Sequence, residues 1–233
     1  MQLLYETDVE KLVQRTENIL SIRFAKPNGF DYLAGQYMFI TLEVGDADLT
    51  KHLTISSSPT ENFLEITKRL TGHTFANALL SLEPGDIIRI RGPYGKFVLG
   101  DYKKIGMLSG GIGITPLRSM IKYSTDKALS TRIILIYSNK NENDIAFNDE
   151  FQAIQRHNPN LKVINTITEP NRYWNGSEGR INSEMIRKYL PDYKDRVFYI
   201  SGPEKMVNSM QILLNDLEIP ESQIRKEYFS GFD

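Results

Sequence analysis

The sequence contains no cysteine. That excludes disulfides, thiolate metal sites and cysteine-ligated iron–sulfur clusters. Histidine is almost as scarce. Its three copies, His52, His73 and His157, are scattered along the chain, so no zinc site or other metal centre is expected. No apolar run approaches the roughly 20 residues that span a bilayer. The N-terminal stretch MQLLYETDVEKL carries charges where a secretory signal needs its apolar region. Neither sign of charge dominates: Lys+Arg number 28 and Asp+Glu 29, for a formal net charge of −1. A broad basic surface for nucleic acid is therefore not expected. There is no internal repeat and no low-complexity tract. These absences lead to the expectation of a cytoplasmic protein with no membrane span and no nucleic-acid partner.

What remains is 233 residues, 40% of them hydrophobic. Domains commonly run to about 100–200 residues, so one large or two small domains fit. The two halves of the chain are patterned differently. In the first hundred residues, ENILSIRFAKP, QYMFITLEV, HLTISSSP, FLEITKRL and DIIRIRGP read as strands rich in β-branched and aromatic residues. Turn signals such as Pro27-Asn28-Gly29 and Pro84-Gly85-Asp86 punctuate them, and one short helix is predicted from about Thr74 to Leu82. Many short strands with one helix predict a small antiparallel β-barrel. After residue 100, strands KIGMLSG, RIILIYSN, LKVINTIT and RVFYISGP alternate with helices predicted from Pro116, over Asn148 to Arg156, over Asn182 to Tyr189 and over Glu204 to Leu217. That alternation predicts a parallel α/β domain. The fold class is thus a two-domain α/β protein, with the boundary near Gly100-Asp101.

The densest signal is SGGIGITPL, residues 109–117. It follows a short apolar strand and precedes apolar residues at helical spacing, so it reads as a strand-to-helix turn. Thr115 is placed to cap the helix and Pro116 to occupy its first position. Glycine at 110, 111 and 113 allows close backbone approach, and bare amides at a helix start attract a phosphate or pyrophosphate. In open α/β sheets ligands lie beyond the carboxyl ends of the strands. Ser138-Asn139-Lys140 and Ser201-Gly202-Pro203 occupy two more such ends.

The order of KHLTISSSP (51–59), TKRLTGHTFANAL (67–79), SGGIGITP (109–116) and SGPEKM (201–206), joined by AGQYMFI (34–40) and GPYGKF (92–97), resembles the ferredoxin–NADP⁺ reductase superfamily. The resemblance covers nearly the whole chain. It implies that residues 1–100 form a flavin-binding barrel, for FAD or in some relatives FMN, and that residues 101–233 bind NADPH or NADH. It also implies hydride transfer from the nicotinamide C4 to the flavin N5, followed by release of electrons one at a time.

Matched position by position, the resemblance gives Thr54 the hydroxyl near flavin N5. Lys51 stands for the arginine on the flavin pyrophosphate, keeping the charge without the bidentate fork. Leu53 stands where the superfamily stacks a tyrosine. Ile55, Ser56 and Ser57 would line the flavin edge, and Thr67, Lys68 and Arg69 would reach the ribityl and phosphate groups. Gly72, Thr74 and Phe75 would bring a helix start to the pyrophosphate. Gly110, Gly111, Gly113, Ile114 and Thr115 would hold the pyridine nucleotide. Ser201 takes a place often held by cysteine beside the nicotinamide, framed by Gly202, Pro203 and Met206. In the closing KEYFSGFD, Glu227 and Phe229 match an acidic residue and an aromatic over the flavin, with Phe232 a second candidate ring. Ser138 and Lys140 are placed to meet a 2′-phosphate, which leans the nucleotide toward NADPH.

With no second redox centre in the chain, the acceptor comes from outside: ferredoxin, flavodoxin, an oxygenase component or free flavin. The competing readings are a regulatory or structural subunit of a larger redox complex, and a phosphate-binding regulator without redox activity. Flavin absorption separates the enzyme from the regulator, and turnover separates it from the inert subunit.

Overall fold

The computed structural model describes residues 4–45 and 47–229. Six antiparallel strands make the first sheet: β1 (Leu4–Thr16), β2 (Ile19–Ala25), β3 (Tyr37–Val44), β4 (Ala47–Thr54), β5 (Phe63–Arg69) and β6 (Ile87–Tyr94), in the spatial order β4-β3-β6-β1-β2-β5. Just past β4, Ile55 bridges to Ile66 of β5, which joins the two edges and curls the sheet into a barrel. Alternation explains its core. Met38, Ile40 and Leu42 of β3 and Ile88 and Ile90 of β6 point inward and are almost fully buried. Helix α1 (Thr74–Leu80) closes one end through Phe75, Ala76 and Leu79.

Strand β1 is absent from the sequence reading, yet it lies inside the sheet, paired to both β2 and β6. Register shifts at Val9/Lys11 and Gln14/Thr16 interrupt its two-residue alternation. Bulges of this kind hide a strand from a pattern search.

The second sheet is parallel, in the order β10-β9-β8-β7-β11-β12. Its strands are β7 (Lys104–Gly110), β8 (Arg132–Asn139), β9 (Leu161–Ile167), the two-residue β10 (Ser177–Glu178), β11 (Val197–Pro203) and β12 (Ile224–Phe229). Helices α2 (Ile114–Asp126) and α3 (Asn148–His157) pack one face; α4 (Ser183–Tyr189) and α5 (Glu204–Asp216) pack the other. Leu117, Met120 and Ile121 of α2 are wholly buried. Each such side chain contributes about 1.5–3 kcal/mol of burial. The chain order runs outward from β7 in one direction and then crosses to β11, so the switch point lies between the carboxyl ends of β7 and β11.

Three expectations are corrected. Helix α2 begins at Ile114 rather than Pro116, because Gly111–Gly113 already coil as a 3-10 turn. Gly113, not Thr115, is its N-cap, and the Thr115 hydroxyl donates back to the Ile112 carbonyl at 3.2 Å. Strand β4 ends at Thr54, so the rest of HLTISSSP leaves the sheet apart from the Ile55 bridge. The chain end as far as Phe229 forms β12, in register with β11 from Phe198↔Ile224 to Pro203↔Phe229. Phe232 lies outside the described residues.

The two sheets share an interface. Ala34 and Phe97 from the first half join the apolar core of the second. The Tyr199 hydroxyl donates to the Val98 carbonyl at 3.0 Å and accepts from the Gly100 N–H at 2.9 Å, which fastens the connecting segment.

Candidate functional site

A cleft of ≈ 520 Å³ opens where the barrel meets β12. From β4 it takes Lys51, His52, Leu53 and Thr54; from β5 and the turn after it, Lys68, Thr71 and His73; from α1, Phe75; from the chain end, Glu227, Tyr228 and Phe229. Two motifs far apart in sequence thus meet on one wall and the other. A larger hollow of ≈ 700 Å³ beside α1 includes Thr74 but none of the other candidate site residues.

The cleft suits an anion with a flat aromatic end. Lys51 and Lys68 both face it, and burial first, then the Lys51 charge, holds the Lys68 ammonium below its usual range. A phosphate would relieve that strain. Tyr37 and Phe39 line the same cleft from β3. They form an aromatic group with His52 and Tyr94, Tyr37 stacking on Tyr94 at 5.7 Å between ring centroids. The sequence reading registered AGQYMFI without assigning these rings a role. Their spacing of two on a strand was the available signal. Tyr37 lies directly opposite Thr54 in the β3–β4 register, so an aromatic side chain stands beside Thr54 on the cleft, while Leu53 pairs with Met38 and packs partly against the barrel core.

Other predicted residues point elsewhere. Ile55 is fully buried in the barrel core. Ser56 and Ser57 are also fully buried: Ser56 donates to Glu65 and pairs with Thr67, while Ser57 pairs with the Tyr32 hydroxyl. Thr67 in turn meets Ser21. These side chains form an internal polar network around Glu65 and do not line the cleft. Period-two alternation past Thr54 and the loss of strand geometry after it turn them inward. Arg69 reaches away from the cleft to Asp144 at 3.3 Å, beside Gly111. Gly72 has φ +72 and sits in the exposed turn ahead of α1, with Thr74 exposed and Phe75 buried.

At the switch point the glycines are packing devices. A Cβ on Gly113 would fall 2.4 Å from the Ser201 carbonyl oxygen and 2.5 Å from Gly202 Cα. One on Gly110 would fall 2.3 Å from Met206 Sδ. Gly111 is different: it has φ +53, a Cβ there would meet only the Arg69 guanidinium at 3.9 Å, and its carbonyl accepts from the buried Tyr137 hydroxyl at 2.9 Å. Ile114 is buried in the core, so this residue contributes backbone rather than side chain to the turn.

Ser201 is fully buried on β11, and its hydroxyl has no hydrogen-bond partner among the described residues. A buried orphan hydroxyl is costly unless a ligand satisfies it. Its register partner across to β12 is Glu227. Burial raises the Glu227 carboxyl to about 6. Pro203 precedes α5 as its N-cap residue, exposed at the rim. On the far edge, Ser138 is half-buried and Asn139 is buried. Lys140 is exposed and pairs with Glu169 at 3.4 Å, an acidic neighbour that sequence distance concealed.

Residues 7–99 match the oxidoreductase FAD-binding domain family, and residues 107–211 match the oxidoreductase NAD-binding domain family. NADH-cytochrome b5 reductase 1 of Aspergillus terreus is 31% identical over 212 residues, covering 84% of this chain and 72% of the relative. The glycine betaine monooxygenase reductase subunit of Chromohalobacter salexigens is 29% identical over 231 residues, 95% of this chain and 63% of that protein. Among solved structures, a ferredoxin NADP⁺ reductase from Neisseria gonorrhoeae with bound FAD and NADP superposes with a TM-score of 0.83, at 20% identity, covering 97% of this chain and 98% of the other. At that identity the likeness speaks for the fold.

Proposed function

The chain belongs to the ferredoxin–NADP⁺ reductase superfamily, an FAD-binding and NAD(P)H-dependent oxidoreductase that passes electrons to an acceptor, and from that premise we propose that the acceptor is a separate protein and that the cleft residues named above serve the transfer. One observation carries the residue assignment. The cleft is lined on one side by Lys51, Thr54 and Lys68 and on the other by Glu227 and Phe229, with Ser201 in register beside Glu227.

Bound there, the two cofactors supply hydride transfer and the later release of single electrons. The chain supplies binding, orientation and proton control. Lys51 and Lys68 would neutralise the flavin phosphates. Thr54, largely buried, would offer its hydroxyl to the flavin ring edge. The turn at Gly111 and Gly113 would take the nucleotide pyrophosphate on its backbone amides. Ser201 would give its orphan hydroxyl to the carboxamide of the nicotinamide. Glu227, raised by burial, would hold a proton in the mildly acidic range and yield it near neutrality. Phe229 would cover the ring and exclude water.

The acceptor is read as a haem protein of the cytochrome b5 kind or an oxygenase component, on the similarity to the two reductases named above. The nucleotide is NADPH or NADH. Lys140 favours the first through a 2′-phosphate, and Glu169 competes for the same ammonium. The compartment is read as the cytoplasm, where reduced nucleotide is supplied. No helix among the described residues is long and apolar enough to cross a membrane.

The test is reconstitution with FAD and FMN, followed by dye, cytochrome and oxygenase-component reduction with NADH and NADPH side by side. Retention of FAD with nucleotide-dependent reduction of a protein acceptor is the expected result. A folded chain that retains neither flavin would overturn the reading.

A further inference from the structure

Helix α2 connects both halves of the molecule. Its first residue, Ile114, follows the Gly111–Gly113 turn directly. Arg118 stands four residues on, about 6 Å further along the axis. Arg118 is 2% exposed, yet it belongs to the second half and spends its guanidinium on the first. Nη1 donates to the Ser56 carbonyl at 3.1 Å, and Nη2 donates to Glu61 Oε1 at 3.0 Å. Nη1 also meets Glu61 Oε2, the oxygen that accepts from the Ser58 N–H at 2.7 Å. The next residue, Ser119, donates its hydroxyl to the Ser57 carbonyl, and Asp126 at the helix end accepts from Thr60. The segment from Ser56 to Glu61 is thus held by side chains of α2, immediately after Thr54.

The contact continues as a chain of alternating charges. Glu150 of α3 pairs with both Arg118 and Arg15, the latter at 4.0 Å. Arg15 of β1 pairs with the buried Glu65 at 2.7 Å, and Arg23 of β2 joins Glu65 at 2.9 Å. Three arginines and three glutamates, Glu61 included, therefore balance. Phe147 lies under both Arg15 and Arg118, at 4.6 and 5.7 Å from ring centroid to guanidinium carbon. Planar arginine forks satisfied on several sides hold orientation more strictly than a lysine point charge.

We propose that Arg118 is a positioning residue that fixes the flavin-side wall, through the Ser56–Glu61 segment, against the dinucleotide turn from which α2 springs. It sets the spacing between Thr54 on one half and Ser201 and Glu227 on the other. Its guanidinium is engaged by Ser56, Glu61 and Glu150, so it acts through these partners. The proposal rests on the placement of the flavin beside Thr54 given above. Its effect is on the relation between two bound rings rather than on the affinity for either.

The experiment compares wild type with Arg118→Lys, Glu61→Gln and Ser119→Ala, each as the full chain. Hydrogen exchange of the 56–61 amides is followed without added cofactor. FAD and NAD(P)H dissociation constants, the long-wavelength charge-transfer absorbance of the nucleotide complex, and the rate of flavin reduction are then measured. Arg118→Lys is expected to speed exchange in 56–61, to diminish the charge-transfer band, and to slow flavin reduction about tenfold, a factor in line with one charged hydrogen bond. Both dissociation constants are expected to stay within about twofold of wild type on the same argument. Ser119→Ala, which removes one bond and no charge, should show the same pattern more weakly and guards against misfolding of the first variant. An unchanged band and reduction rate in both Arg118→Lys and Ser119→Ala would overturn the proposal. So would a rate loss fully accounted for by weaker FAD or nucleotide binding. Failure of the wild-type chain to bind flavin would instead overturn the functional reading on which it rests.

Discussion

Ser201 and Glu227 are direct neighbours in the parallel register of β11 and β12, a buried hydroxyl with no partner among the described residues beside a carboxyl that burial holds at about 6. The ordinary value for this carboxyl is 4.5. Between pH 4.5 and about 6 the folded chain therefore binds a proton that the unfolded chain has released. By linkage, the stability contributed at this group is retained below 4.5 and lost as pH rises through about 6. Glu227→Gln removes that loss. Allowing for the solvent still reaching the group, the variant should be more stable than wild type by about 1 kcal/mol at pH 7.5 and equal to it at pH 4.5. Urea unfolding at the two pH values measures the difference. The same substitution should slow turnover and remove the kinetic limb near pH 6. An equal stability difference at both pH values would show that the carboxyl does not titrate in this window.

The two glycines at the switch point should respond to different degrees. Gly113→Ala drives a Cβ into the backbone of Ser201 and Gly202, which have no flexible end to move. It should cost about 3 kcal/mol and abolish nucleotide-dependent reduction. Gly111→Ala makes only an ordinary 3.9 Å contact with Arg69 Nη2, so its cost comes from φ +53, about 1 kcal/mol. Its flavin spectrum should persist. Thermal unfolding and NAD(P)H titration of both variants check the contrast; similar losses at the two positions would contradict it.

Much of this was legible in the sequence, and the omissions have physical causes. The parallel strands read clearly because each is a short apolar run ended by glycine or a polar turn, as in Ile105–Gly110 and Val197–Gly202. The helix over Asn182 to Tyr189 was also legible; of Asn182 and Ser183, either of which could cap it by type, Asn182 does so and accepts from the Met185 N–H at 2.9 Å. Strand β1 was hidden by its bulges, and β12 by charged residues that pair or sit at a rim. Thr115 looked like a cap because sequence alone does not reveal that Gly111–Gly113 have already begun to coil. The inward turn of Ser56, Ser57 and Thr67 depends on a buried Glu65, whose two arginine partners come from β1 and β2. Such long-range pairing leaves no local pattern.

Lys140 and Glu169 should set the nucleotide preference together. Both are about two-thirds exposed, so their pair is weak. Lys140→Ala should weaken NADPH about fivefold and leave NADH nearly unchanged. Glu169→Gln should act in the reverse sense, freeing the ammonium and tightening NADPH about threefold on the same basis. Dissociation constants for both nucleotides with each variant test this. Equal effects on NADH and NADPH would assign the lysine to the fold or the pyrophosphate instead.

Phe229 should gate access to the flavin. It ends β12 opposite Pro203, packs partly against the core of the second half, and lines the cleft with Glu227. A ring there would occupy the place that the nicotinamide needs, so binding must displace it. Displacement carries a cost that an alanine would not impose. Phe229→Ala should therefore bind NAD(P)H about fivefold more tightly, in keeping with roughly 1 kcal/mol for moving one aromatic contact. Flavin fluorescence should rise, because a stacked aromatic quenches it. The oxidised nucleotide should also leave more slowly, so turnover should fall although binding improves. Phe232→Ala, made separately, identifies which ring is responsible. Fluorescence titration and steady-state rates on both variants decide the matter. Unchanged nucleotide affinity and fluorescence in Phe229→Ala, with both changing in Phe232→Ala, would move the gate to the later ring; no change in either would remove the gate altogether.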